Sequence, residues 1–219
     1  NLHLALHQER SQDILVVDFK EKFSGDFSTT FPTADPFVFL ENLKNPDFAK
    51  KIKVIFHHGA CSDTTNYNPH YMFKYNFDYT TRLFRFCLQY NIRLIYASSA
   101  SVYGDGPFSE WSQACLRPKN LYARTKKLSD QYISNFLSSS KSQVVGLRYF
   151  NVYGPHEHRK GPMASVMCQF KKQIDKNKKV KLFEHSREYL RDFVYIEDVV
   201  KVNLHFFDNP HISGIFNCG

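Results

Sequence analysis

Long apolar runs are missing from this sequence of 219 residues. A membrane-spanning helix needs roughly 18 or more consecutive apolar residues, and no stretch here approaches that length. The first residues do not form a secretory signal peptide, which would combine a basic start with an apolar core. We therefore predict a protein that has no membrane partner and works in the cytoplasm.

Cysteine is scarce and has no metal-binding pattern. The five cysteines are widely scattered and odd in number, and none has the paired spacing of zinc ligands. We expect free thiols in a reducing compartment. His57 and His58 are adjacent, but no third ligand has suitable spacing, so we predict no metal site.

Tracts of low complexity are also absent, and 42% hydrophobic residues with 23% charged residues indicate a globular protein with a full core. The formal net charge of +8 favours anionic partners, which include nucleic acids, anionic surfaces and phosphate-bearing small molecules. The basic residues are spread along the chain, and their densest run, 171–181, is typical of a solvated helix end. We expect no nucleic-acid partner.

Short apolar runs alternate with amphipathic stretches, which predicts an α/β fold with a doubly wound parallel sheet and helices on both faces. Such sheets bind ligands beyond the carboxyl ends of their strands. The polar segments at those ends are Asp18, 57–62, 98–101 and 150–154. The predicted strands are 14–17, 54–56, 94–96 and 144–147, and the predicted helices are 71–90 and 122–136.

Asp18 follows the first apolar run, where an acidic residue can accept hydrogen bonds from an adenosine ribose. A turn cap is an equally good interpretation of this residue alone. Lys20 and Lys22 could neutralise a 2′-phosphate, so NAD and NADP both stay open. A strand and a glycine-rich turn normally precede the first helix of a dinucleotide-binding fold, whereas the helix-like stretch 1–9 comes first here. We expect a fragment that lacks this strand and turn, with further sequence missing behind.

The chain changes character after Tyr153. A Gly-Pro turn at 154–155 is followed by a predicted helix from about Met163, a predicted strand near Val180 and a helix after Asp198. We predict a dinucleotide-binding domain over residues 1–153. Residues 154–219 would form part of a smaller, mixed α/β substrate-binding lobe, with the strand-like stretch 214–217 returning to the main sheet.

Tyr122 and Lys126 are four residues apart on a predicted helix, so both side chains lie on one face. A nearby ammonium favours the phenolate and makes the tyrosine a better proton-transfer group near neutral pH. Ser99, at a predicted strand end, could hydrogen-bond a substrate hydroxyl or carbonyl. Together they predict a tyrosine that removes a proton from an alcohol while a nicotinamide accepts hydride. The alternative, a core tyrosine beside a surface lysine, is disfavoured by Ser99.

Two segments resemble the extended short-chain dehydrogenases that act on nucleotide sugars: YASSASVYG at 96–104 and LRYFNVYGP at 147–155. Stretches at 56–65, 160–166 and 181–186, with 190–195, narrow the resemblance to the ADP-L-glycero-D-manno-heptose 6-epimerases, from about Asp13 to Gly219. The resemblance implies a Rossmann-like fold, an ADP-sugar substrate, a tightly held NADP with NAD as the alternative, and a homo-oligomer. The implied reaction inverts C-6″ of the sugar by oxidation and re-reduction.

The resemblance also assigns roles to single residues. Tyr122 would be one proton acceptor and Lys160 the second, supported by Ser99 and Lys126, because inversion needs a proton donor on each side of the ketone. Without the resemblance, Lys160 reads as an ordinary loop lysine. The residues implied at the cofactor are Asp18, Gly59, Ala60, Ser62, Asn76, Lys126 and Val152. Those implied at the substrate are Ser99, Asn151, Phe183, Glu184, Ser186 and Arg191, where Arg191 would pair with the diphosphate.

Three positions depart from the family pattern. His58 stands where an acidic residue is expected, Pro162 where serine is expected, and Gln169 where histidine is expected. Pro162 removes a hydroxyl near the sugar and Gln169 removes a titratable ring, so the exact sugar stays open. Another nucleotide-sugar 4-epimerase or reductase, or a non-catalytic nucleotide-binding descendant, remains an alternative. A dehydratase is disfavoured, because Ala100 and Ser101 replace its Asp-Glu pair.

Overall fold

The computed structural model describes residues 1–10, 13–19, 31–106, 115–176, 179–182, 184, 186–188 and 190–219. Within these residues, no helix has both the length and the apolar character that crossing a bilayer requires.

The first part of the chain is a small unit beside the main sheet. Asp35 begins one of its helices by accepting hydrogen bonds from two main-chain amides, and a proline at the first helical position follows it. The strand predicted over 14–17 is confirmed as a two-residue strand that pairs in a sheet of its own. In chain order the elements are α1 (Leu2–Arg10), β1 (Val16–Val17), β2 (Thr33–Ala34), α2 (Pro36–Asn42) and α3 (Pro46–Ala49).

The middle of the chain alternates strands and helices as predicted. The helix predicted over 71–90 consists of two α-helices joined by a π-helical segment, Phe73–Asp78, and it ends where Asn91 adopts a left-handed conformation. The elements are β3 (Val54–His57), α4 (Pro69–Met72), α5 (Tyr79–Tyr90), β4 (Arg93–Ser99), α6 (Leu121–Ser134), β5 (Val144–Tyr149) and β6 (Asn151–Tyr153), with 3₁₀ turns at Ala100–Val102 and Leu137–Ser139.

In the last part, the described residues form two α-helices and two strands. The strand predicted near Val180 is wrong: Lys179, Lys181 and Leu182 around it are exposed, so this segment has no buried face to pair. The strand that exists lies further on and pairs with β6 in parallel. The elements are α7 (Val166–Ile174), β7 (Phe193–Tyr195), α8 (Ile196–Asp208) and β8 (Gly214–Cys218), with 3₁₀ turns at Glu157–Met163 and Ser186–Glu188.

Over the described part of the chain, the main sheet has four parallel strands in the order β3-β4-β5-β8. Side chains of β4 alternate between its faces: Leu94 and Tyr96 pack in the layer of α5 and α6, and Ile95 packs with Phe206 of α8. Burying one Leu or Ile side chain fully stabilises the folded state by roughly 1.5–3 kcal/mol relative to leaving it exposed. Helices on both faces confirm the doubly wound α/β fold, and the carboxyl ends of β3, β4 and β5 meet at one edge.

Candidate active site

Tyr122 lies in the first turn of α6, beside the carboxyl end of β4. Asn120 fixes the start of this helix, because its side chain accepts the amide N–H of Ala123 at 2.8 Å. The Ser99 hydroxyl lies beside the phenol of Tyr122. Burial raises the pKa of Tyr122, and the neighbouring Ser99 hydroxyl lowers it by less. The phenol therefore needs a positive neighbour to transfer protons near neutral pH.

Lys126 supplies that positive neighbour from the same face of α6. Its ammonium lies 6.0 Å from the centre of the Tyr122 ring and donates a 2.7 Å hydrogen bond to the carbonyl oxygen of Ala97. Only 4% of Lys126 is exposed. Burial lowers the pKa of Lys126 to about 8, and the Asp130 carboxylate acts in the opposite direction.

Ser99 ends β4 and faces the site, whereas Ser98 before it is buried and faces α6. The hydroxyl oxygen of Ser99 accepts hydrogen bonds from the amide and the hydroxyl of Ser101, at 3.2 and 2.9 Å. Its own hydrogen is therefore free to serve Tyr122 or a substrate oxygen. The structure thus brings together Tyr122, Ser99 and Lys126.

A buried ion pair between Asp130 and Arg148 lies next to this cluster, and the sequence did not lead us to predict it. The Asp130 carboxylate accepts hydrogen bonds from Arg148 Nε at 3.0 Å, Ser98 Oγ at 2.9 Å and Tyr96 Oη at 3.0 Å. Tyr96 reaches it because Gly146 lies beneath the ring, where a Cβ would be 2.5 Å from the phenol oxygen. The signal available in the sequence was an arginine inside an apolar strand run.

Arg148 extends this network toward the last strand, β8. Its Nη1 donates to Tyr103 Oη at 2.9 Å, and Tyr103 in turn donates to Asn217 Oδ1 at 2.8 Å. The Arg148 and Asp130 side chains are 1% and 0% exposed. Buried charges are stable only when paired and hydrogen-bonded, as these are.

The loop after β3 is held by Asn76 and has an open surface. Asn76, fully buried in the π-helical segment, accepts the amide of Cys61 at 2.8 Å and donates to its carbonyl at 3.0 Å. It also donates to Thr125 Oγ1 at 3.3 Å, which ties the loop to α6. A Cβ built at Gly59 meets nothing within 4 Å, so the backbone there is open to a ligand. Ala60 is half-buried and Ser62 exposed.

The adjacent histidines have separate partners. His57 Nε2 lies 2.8 Å from Thr80 Oγ1, and burial lowers the pKa of His57 to about 3, so this ring is neutral. His58 Nε2 lies 3.0 Å from Tyr149 Oη, which also accepts a hydrogen bond from Asn203. Across the described part of the chain, no group of three His, Cys, Asp or Glu residues could hold a metal ion.

Asp18 lies just beyond β1, in the small unit. Its carboxylate accepts the amide N–H of Phe19 at 2.8 Å, and its own amide pairs with the carbonyl of Ala34. Both hydrogen bonds lie within the small unit that contains β1 and β2. Lys20 and Lys22 lie outside the described residues.

Lys160 lies on an exposed loop that two side chains anchor. Glu157, 6% exposed, accepts the amide of Gly154 at 2.8 Å, the amide of Ser165 at 2.6 Å and the Ser165 hydroxyl at 3.0 Å. Gln169 donates to the carbonyl of Gly161 at 3.0 Å. Lys160 itself is exposed, and within the described residues no hydrogen bond or ion pair joins it to Tyr122.

The residues implied at the sugar lie on the last part of the chain. Asn151 donates from its side chain and its main chain to the carbonyl of Asp192, at 2.8 and 3.2 Å, so it stabilises the β6–β7 pair. Glu184 and Arg191 are exposed. Ser186 and Val152 are half-buried, and Val152 packs against Val194. Phe183 lies outside the described residues.

Comparison with known proteins gives one family model and close relatives. The model of the NAD dependent epimerase/dehydratase family matches residues 15–219. The ADP-L-glycero-D-manno-heptose-6-epimerase of Brachyspira hyodysenteriae is 46% identical over 203 residues, which cover 91% of this chain and 59% of that relative. The protein of the same name from Pseudomonas aeruginosa is 42% identical over 231 residues, 100% of this chain and 69% of the relative. This chain thus spans 59% to 69% of their length.

Solved structures agree with the family model. The crystal structure of Helicobacter pylori ADP-L-glycero-D-manno-heptose-6-epimerase matches with a TM-score of 0.79 and 31% identity, over 100% of this chain and 72% of that chain. The UDP-N-acetylglucosamine 4-epimerase of Methanobrevibacter ruminantium matches with a TM-score of 0.75 and 25% identity, over 94% of this chain and 68% of that chain.

Proposed function

Because this chain belongs to the NAD dependent epimerase/dehydratase family, we propose that the protein containing it is an epimerase of a nucleotide-activated sugar. The proposed reaction inverts C-6″ of ADP-D-glycero-D-manno-heptose to give ADP-L-glycero-D-manno-heptose. The names of both curated relatives and of the Helicobacter pylori structure support this sugar. Since the chain spans only part of these relatives, the proposal concerns the whole protein.

The cluster of Tyr122, Ser99 and Lys126 carries this proposal. Tyr122 takes the proton of the C-6″ hydroxyl as the alcohol becomes a ketone, and Ser99 donates a hydrogen bond to the same oxygen. Lys126, 6.0 Å from the ring centre, stabilises the phenolate that Tyr122 needs for this step. When the ketone is reduced again, a proton must return to its oxygen.

The residues at the sheet edge fit a nicotinamide dinucleotide, which would supply the acceptor and donor of the C-6″ hydride. The Lys126 ammonium has three N–H donors. One donates to the carbonyl oxygen of Ala97, and the other two could donate to a ribose. The open backbone at Gly59 leaves room beside it, and Asn76 would hold the Cys61 segment in place. We assign NADP, with NAD as the alternative, and contacts from Asp18, Gly59, Ala60, Ser62, Lys126 and Val152.

Lys160 is the proposed second proton-transfer group. Inversion places the two C–H bonds on opposite faces of the carbon, so proton delivery is needed from two directions. Glu157 and Gln169 fix the ends of the loop and leave the Lys160 side chain exposed. An exposed lysine on an anchored loop can meet a substrate that binds over the sheet edge.

The remaining assignments concern the wider protein. Residues 1–153 would hold the dinucleotide and residues 154–219 would contribute to the sugar site, with Asn151, Phe183, Glu184, Ser186 and Arg191 as further contacts. Arg191 offers a planar fork to the diphosphate. We also propose a homo-oligomer in the cytoplasm, where free cysteines such as Cys61 stay reduced.

Proton NMR of ADP-D-glycero-D-manno-heptose, incubated with NADP and the full-length protein, tests this function. The expected result is the L-glycero epimer without net formation of NADPH. An unchanged sugar with a protein that still binds NADP would show that the sugar is wrong, and Pro162 and Gln169 would be the first positions to examine. A protein that binds neither would be a non-catalytic descendant of the family.

A further inference from the structure

Asp130 is a buried charged group to which the proposed chemistry assigns no role. It lies four residues after Lys126 and eight after Tyr122, so all three share the face of α6 that packs on β4. We propose that Asp130 is a positioning residue whose carboxylate keeps Lys126 charged beside Tyr122. This inference rests on the proposed roles of Tyr122 and Lys126.

Among the described residues, no ion pair holds the charge of Lys126 in the interior. Its hydrogen bond goes to the neutral carbonyl of Ala97, and the salt bridge of Asp130 is made with Arg148. A buried ammonium without a nearby anion loses its proton readily. The Asp130 field favours the charged form of Lys126, while burial opposes it.

The neighbouring groups show that Asp130 is the source of negative charge. On the β3 side, the buried His57 ring lies within reach of the Lys126 charge, and burial followed by that charge lowers the pKa of His57. Arg148 from β5 is a second cation, and Tyr96 from β4 is a neutral phenol that donates to Asp130. Replacing Asp130 would therefore leave two buried cations, Lys126 and Arg148, with no carboxylate between them.

The obvious competing explanation is a purely structural ion pair between Asp130 and Arg148. The two roles differ in what happens to Lys126. If Asp130 only holds β5 to α6, its loss weakens folding but leaves the titration of Lys126 unchanged. If it holds the charge of Lys126, its loss moves that titration to lower pH, and the alkaline limit of activity moves with it.

The test compares Asp130→Asn with Tyr96→Phe and Ser98→Ala in the full-length protein. Each control removes one hydrogen bond from the same carboxylate and keeps its charge. The Lys126 titration is followed by NMR of ¹³Cε-labelled lysine, assigned by the signal missing from Lys126→Met. The pH profile of kcat/KM is recorded in parallel.

In Asp130→Asn, the midpoint of the Lys126 titration and the alkaline limb of the kcat/KM profile should move to lower pH by about one unit or more. In both controls, the midpoint and the alkaline limb should stay near those of the unchanged protein. Asp130→Glu should restore most of the shift. A folded Asp130→Asn whose Lys126 titrates as before would overturn the proposal. Should that variant fail to fold, a Lys126 already neutral at pH 7 in the unchanged protein would overturn it as well.

The NMR titration needs no substrate, so it separates this inference from the proposed function. If the unchanged protein does not epimerise the sugar, the proposed function is wrong. The Lys126 titration still decides the role of Asp130.

Discussion

The two proposed proton-transfer groups are held in different ways. Tyr122 lies near three buried charged groups that hydrogen-bond across the contact between α6 and the sheet: Lys126 and Asp130 of the helix and Arg148 of β5. Lys160 lies on an exposed loop that is fixed at its ends by Glu157 and Gln169. The first region is organised before any ligand arrives. The second fixes the path of the main chain and leaves the Lys160 side chain exposed, so the proposed mechanism needs the substrate to position this side chain.

Replacing Tyr122 by phenylalanine should remove the reactive hydroxyl from the buried cluster on α6. Turnover should fall by roughly 10²–10⁴, the range for a lost general acid or base, because one hydroxyl disappears. A steady-state epimerisation assay measures turnover, and a thermal melt measures the stability of the variant. Tyr132→Phe is the matched control: it lies on the same helix, its hydroxyl accepts a hydrogen bond from Arg85, and turnover should stay unchanged. Equal turnover in Tyr122→Phe would remove Tyr122 from the mechanism.

Replacing Arg148 by methionine should show how much stability the buried region carries. It leaves Asp130 as an unpaired buried charge, so the free energy of unfolding should fall by about 3–5 kcal/mol. Arg191→Met changes an exposed arginine in the same way and should cost about 0.5 kcal/mol or less. Urea unfolding measures both variants. Equal losses would mean that the two regions do not differ as described.

Replacing Lys160 by glutamine should separate activity from stability in the exposed region. Turnover should fall about a hundredfold, because one of two proton-transfer groups is lost, while the melting temperature stays the same. Lys179→Gln, another exposed lysine, should change neither property. Normal turnover in Lys160→Gln would leave Lys160 as an ordinary loop lysine.

Replacing Glu157 by glutamine should loosen the loop with a smaller effect. The amide nitrogen cannot accept the Ser165 N–H, so kcat/KM should fall about tenfold, equivalent to the loss of one charged hydrogen bond. Glu197→Gln, on an exposed helix start, is the matched control. An unchanged kcat/KM would show that the loop needs no anchor.

The same carboxylate should make the loop sensitive to acid. Burial raises the pKa of Glu157, but hydrogen bonds from Ser165 and Gly154 outweigh it and hold the pKa below its usual value. Its contribution to stability is therefore complete above about pH 4.3 and is lost as the pH falls through the lower, folded pKa. Hydrogen exchange of the Ser165 amide against pH follows this loss.

Sequence patterns predicted the strands of the main sheet, because burial of these strands gives continuous apolar runs in the sequence. The apolar runs at 54–56, 94–96 and 144–147 are confirmed as strands, since parallel strands with helices on both faces of their sheet are apolar on both sides. The pattern failed at Val180 and missed the strand Phe193–Tyr195. Three residues followed at once by a helix are too short for periodicity to detect.

The site divides in the same way. The spacing of Tyr122 and Lys126 is local to one helix, so their shared face could be predicted. Asp130 and Arg148 are 18 residues apart and meet only when α6 packs on the sheet, which no local pattern encodes. Glu157 was missed for a related reason, because its partners are the two ends of a loop.

Deuterium placed at C-6″ of ADP-D-glycero-D-manno-heptose tests the central claim most directly. If the alcohol is oxidised and re-reduced within one site, the L-glycero product should retain the deuterium at C-6″ when the reaction runs in ordinary water. Loss of the label to solvent would mean that the C-6″ hydrogen leaves as a proton. That result would contradict the roles given to Tyr122 and Lys126.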